Sequence, residues 1–64
     1  MTQKELLYFE DAIGHENTII KIVNNAIESL SSTDLKEFMK SELTKHEELK
    51  QNLMNKLGEK NNGW

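Results

Sequence analysis

Three residues able to bind a metal or carry a proton fall where an amphipathic helix should be apolar: Glu16, Glu42 and His46. Glu16 takes the heptad slot between Phe9 and Val23. His46 stands at the centre of a stripe formed by Leu35, Met39, Leu43, Leu49, Leu53 and Leu57. Glu42 comes one turn earlier, only about 40° away around the helix. An ionised carboxylate buried without a partner is heavily penalised, so this placement requires one. A metal is one candidate. Di-iron and di-manganese bundles take a Glu from each of two helices and a Glu-x-x-His from each of the other two. Two copies of this chain would bring four carboxylates and two imidazoles to one level, a donor set suited to iron or manganese. The spacing here is Glu42-x-x-x-His46, one residue longer, although both spacings keep the pair on one helix face. The other candidate is internal. Glu16 would hydrogen-bond His46 across the core while Glu42 bonds within its own helix, a polar layer that fixes register and pairing. We favour this second reading.

These residues need helices to position them. Thr2-Gln3-Lys4-Glu5 has the form of a capping box, and no proline occurs anywhere in the chain to interrupt a helix. The periodicity predicts a first helix from about 3 to 30, with Leu6, Phe9, Ala12, Ile13, Ile19, Ile20, Val23, Ile27 and Leu30 inward. Ser31-Ser32-Thr33-Asp34 is the one mid-chain cluster of turn and cap residues, and either Ser32 or Thr33 suits the cap of a second helix. The expected boundaries are a turn over 31–33, a second helix over about 33–57, Gly58 as a left-handed C-cap, and a polar tail over 58–64 ending in Trp64. Folding the hairpin places Leu30 near Leu35 and Glu16 level with His46. His15 adjoins Glu16 but points about 100° away, at the edge of the stripe, near Tyr8, Ile19 and Ala26. Leu7 and Ile22 point away from the main face; they are ordinary exposed apolar residues or an extension of an assembly face.

The fold class predicted is all-α: an antiparallel two-helix hairpin that dimerises into a four-helix bundle. A lone hairpin has one apolar stripe per helix and little to cover it. Domains of fewer than ~70–80 residues rarely gain more than ~3–5 kcal/mol from one core. This chain has 64 residues and no Cys, so disulfides are excluded and association or a metal remains. The net charge of −3 lacks the basic footprint of nucleic-acid binding. The longest apolar run, Leu6-Leu7-Tyr8-Phe9, falls far short of a membrane span or a signal-peptide core. We therefore expect neither nucleic-acid nor membrane partners. No serine is poised against a base and there is no Gly-rich phosphate loop. An enzyme is not expected, and any catalysis would be metal redox chemistry.

The chain resembles the spore coat protein F-like proteins, a ferritin-like group of small helical hairpins. The residues that carry the likeness are Lys4-Glu5-Leu6-Leu7, Glu10-Asp11, His15-Glu16, the turn Ser31-Ser32-Thr33-Asp34-Leu35-Lys36, Met54 and the closing Gly63-Trp64. They span about Glu5 to Trp64. The resemblance implies a ferritin-like four-helix bundle, a location in the spore coat or cytoplasm of a sporulating bacterium, and other coat proteins as partners. It implies no established enzymology. Ferritin-like relatives use core Glu and His for metals, and only Glu16, Glu42 and His46 are placed for that role here. The function expected is a small structural protein of coat assembly. The alternative is a ferritin-like protein holding iron or manganese at the dimer core.

Overall fold

The computed structural model describes residues 1–61. They form two helices, α1 over Gln3–Ser29 and α2 over Thr33–Asn61, joined by a link at positions 30–32 and packed against each other as a hairpin. Each helix begins where the sequence offers a cap. The Glu5 backbone N–H donates to Thr2 Oγ1 at 3.1 Å, and the Thr2 N–H donates to Glu5 Oε1 at 2.7 Å, a complete capping box. Leu30 leaves helical geometry at φ −75°, ψ 141°, although its N–H still reaches the Ala26 carbonyl at 2.9 Å. The chain then restarts at once. Of the two candidate caps it is Ser32 whose Oγ accepts, from the Leu35 N–H at 3.3 Å.

The capping box carries a pH signature. The hydrogen bonds from Thr2, its backbone N–H foremost, hold the Glu5 carboxyl below the ordinary glutamate range, and the amino terminus and Lys60 act in the same direction. A carboxyl with a lowered folded-state pKa adds stability above its unfolded pKa and loses it as pH falls through the folded one. Glu5→Gln should therefore melt below the wild type at neutral pH, and the gap should close in acid. Circular dichroism melts of the two proteins across that range check it. Thr2→Ala should cost about 1 kcal/mol at neutral pH.

Steps of three and four residues alternate along both inner faces. On α1 the seam is Leu6, Phe9, Ile13, Glu16, Ile20, Val23 and Ile27, each at least half-buried. On α2 it is Lys36, Met39, Leu43, His46, Lys50, Leu53 and Leu57, all half-buried. This is the 3.5-residue repeat of a coiled coil. It corrects the predicted inner face of α2. Leu35 and Leu49 are 53% and 45% exposed, and Lys36 and Lys50 take the slots beside them. Met39, Leu43, Leu53 and Leu57 fix the phase of the helix, and Leu35 and Leu49 lie one residue, about 100°, ahead of it. A lysine tolerates a seam position because its stem lies on apolar surface while the ammonium stays in water.

Two further differences concern the ends. Gly58 is not a left-handed cap: no glycine among the described residues has positive φ, and α2 runs through Gly58 to Asn61. A Cβ at Gly58 would meet nothing within 4 Å, so this glycine does not serve a close approach. Nothing at this position forces the chain to turn, and the N–H to carbonyl ladder continues. The expected placement of Trp64 at the close of the tail falls outside the described residues.

The hairpin is a rod with extents of 48 × 15 × 11 Å. Its core is thin. Val23, at 7% exposure, is the one buried apolar residue among those described. Leu7, Tyr8, Ile22, Leu35, Phe38, Leu49 and Met54 remain 45% exposed or more.

Candidate functional site

Glu16, at 8% exposure, is with Val23 one of the two buried residues among those described. It occupies the seam position midway along α1, where the 3.5-residue repeat directs its side chain at α2. The facing seam position is His46. The His46 Nδ1 and Glu16 Oε2 lie 2.6 Å apart. A carboxylate oxygen offers only lone pairs, so the Nδ1–H of His46 donates to it. The bond joins residues 30 positions apart in sequence and is the one side-chain bond between the two helices among those described. No buried side-chain nitrogen or oxygen among the described residues lacks a partner. The polar layer is therefore satisfied from within the chain.

Glu42 does not join it. Its side chain keeps 31% of its exposure and accepts from Lys45 Nζ at 3.3 Å, a local ion pair on the flank of α2. The reason is phase. His46 is in the seam, and a residue four positions earlier lies about 40° off it on the outer side. A surface pair of this kind contributes little to stability. The structure thus brings Glu16 and His46 together and leaves Glu42 outside. Among the described residues no three His, Asp or Glu side chains gather in a way that could hold a metal ion. Within one chain the three residues do not fit a metal as a set: Glu16 and His46 are engaged with each other, and Glu42 with Lys45.

His15 is exposed and helps to line a shallow, open depression on the side of α1, with Asp11, Ala12, Glu16 and Ile19. The depression has one wall only, since all five residues belong to α1. Sequence reasoning also missed the seam lysines, Lys36 and Lys50. The signal was present: stepping three and four residues outward from Met39, Leu43 and His46 lands on both.

No family model matches the chain, and no curated protein or solved structure matches it significantly. No helix among the described residues is long and apolar enough to cross a membrane.

Proposed function

We propose that this chain is a small structural protein that acts by self-assembly, two copies joining their hairpins into a four-helix bundle. The observation that carries the reading is the imbalance of burial. Among the described residues one apolar side chain is buried, while seven large ones stand 45–61% exposed. A domain of about 60 residues is marginal even when its core is closed, because it buries only ~60% of the surface its unfolded chain exposes. Pairing two such rods is the economical way to cover the remainder. The Glu16–His46 bond then serves as a register pin. A polar pair inside an otherwise apolar seam penalises every slip that separates its members. The resemblance to spore coat protein F-like proteins supports placing this assembly role in the coat of a sporulating cell, alongside other coat proteins.

Sedimentation equilibrium on untagged protein, with and without chelator, tests the proposal. The expected mass is twice 7.4 kDa in both conditions. A folded monomer at every concentration would overturn it. A dimer that forms only with iron or manganese would instead transfer the role of Glu16, Glu42 and His46 to a metal shared between two copies.

A further inference from the structure

The two sides of the hairpin differ. Successive residues turn clockwise along a helix running away from the viewer and counter-clockwise along one running toward the viewer. In an antiparallel pair, the residues just before each seam position therefore lie on one side of the rod, and those just after lie on the other. The "after" side carries Glu10, Asn17 and Asn24 from α1 and Lys40, Glu47 and Met54 from α2, and with its outer positions included Leu7 and Met54 are its two large apolar residues. The "before" side extends over the neighbouring outer positions as a second set of three- and four-residue steps. On α1 it presents Tyr8, Ala12, His15, Ile19, Ile22 and Ala26. On α2 it presents Leu35, Phe38, Glu42, Lys45 and Leu49, and beyond them Asn52 and Lys56. Five of the seven most exposed large hydrophobic side chains among the described residues, Tyr8, Ile22, Leu35, Phe38 and Leu49, gather here. The face, 48 Å long with a backbone width of 15 Å, approaches the ~800 Å² that each partner buries in a standard interface.

We propose that this face binds a second copy of the chain, with the two turns at the same pole of the bundle. The inference rests on the self-assembly reading and adds the surface and the orientation. The Glu16–His46 bond fixes the heights along the rod. At 1.5 Å per residue, Leu35 and Phe38 lie level with Ile22 and Ala26, Glu42 and Lys45 with the stretch from His15 to Ile19, and Leu49 with Ala12. A two-fold dimer through the face has two choices, and both make every neighbouring helix antiparallel. With the axis along the rod, α1 of one copy lies over α2 of the other at equal height. Leu35 and Phe38 then cover Ile22 and Ala26, Leu49 covers Ala12, and His15, Glu42 and Lys45 meet as one layer of mixed charge. With the axis across the rod at about the level of the Glu16–His46 bond, which centres one rod on the other, each helix lies over its own mate. Lys45 then meets Lys45, His15 meets His15, and Leu35 and Phe38 land on Asn52 and Lys56. Moving the crossed axis by a turn to bring Leu35 over Leu49 sets Glu42 against Glu42, so apolar contact and opposite charges come together in the first arrangement.

The chain has no cysteine among its described residues and none in its composition, so a nitroxide on Ser31→Cys, in the exposed link, gives one label per chain. Pulsed electron resonance should find the two labels within roughly 20 Å, one helix spacing of ~10 Å plus the reach of the label arms. The crossed arrangement would separate them by nearly the 48 Å length of the rod. In parallel, Ile22→Glu should weaken dimerisation at least ~10-fold by sedimentation, and Met54→Glu, on the opposite side, should leave it unchanged. A dimer with the long distance, or one broken by Met54→Glu and not by Ile22→Glu, overturns this arrangement while self-assembly stands. A monomer throughout overturns both.

Discussion

His46→Leu alone should remove most of the stability of the hairpin, and adding Glu16→Leu should return it. The single change leaves the Glu16 carboxylate, 10% exposed at its side chain, facing a leucine. Leaving one member of a buried hydrogen-bonded pair without its partner costs ~1–3 kcal/mol, and more where a charge is stranded. The His46 side chain keeps 29% exposure, so water reaches the site and the loss is nearer ~1–3 kcal/mol. Against the ~3–5 kcal/mol available to a domain of this size, that loss takes the protein to the edge of unfolding. In the double variant two leucines complete the seam, and replacing a buried pair by apolar side chains is commonly neutral or stabilising. Urea titrations of the wild type, both single variants and the double variant give the coupling as a departure from additivity. Additive single effects would show that the 2.6 Å contact contributes nothing specific. If the pair is a register pin, the double variant also melts higher but sediments as a mixture of masses, because nothing penalises a slipped pairing.

Lys36→Leu with Lys50→Leu should raise the urea midpoint with little change in slope. Both lysines are half-buried at seam positions, where only the stem packs. A leucine there removes its whole side chain from water, worth about 1 kcal/mol at a site already half covered. The pair together should add about 2 kcal/mol, a large share of the stability of so small a domain. The mirror change, Leu35→Lys with Leu49→Lys, should leave the packing within each hairpin intact, since both leucines point off the seam. A fall in midpoint for the leucine replacements would place Lys36 and Lys50 outside the seam and return Leu35 and Leu49 to the inner face.

How much of this was legible in the sequence depended on how local the signal was. The capping box at Thr2–Glu5 and the cluster around Ser32 act within one turn, and both helix starts lie where those residues put them. The pairing of Glu16 with His46 was also readable, because a hairpin with a short link fixes which levels face each other. The phase of α2 was not. Its seam is written in a mixture of Leu, Met, His and Lys, so counting apolar residues alone drew Leu35 and Leu49 inward. Glu42 lies about 40° off the seam, as its spacing from His46 requires, and bonds within its own helix to Lys45. Gly58 misled for a different reason. Glycine permits a left-handed cap but does not compel one, and here no residue around it provides the competing bonds that end a helix.

The single reversal of direction at positions 30–32 also decides where the chain is held. The first turn of α1 and the last turn of α2 lie side by side, close enough for Lys60 to act on Glu5. Attachment through either end therefore stands the rod upright, like a bristle, with the link as its free tip 48 Å out. In the proposed dimer, with both links at one pole, all four points of attachment would fall on one base. A lawn of such pairs would form a layer whose thickness is set by the number of helical turns and not by side-chain chemistry.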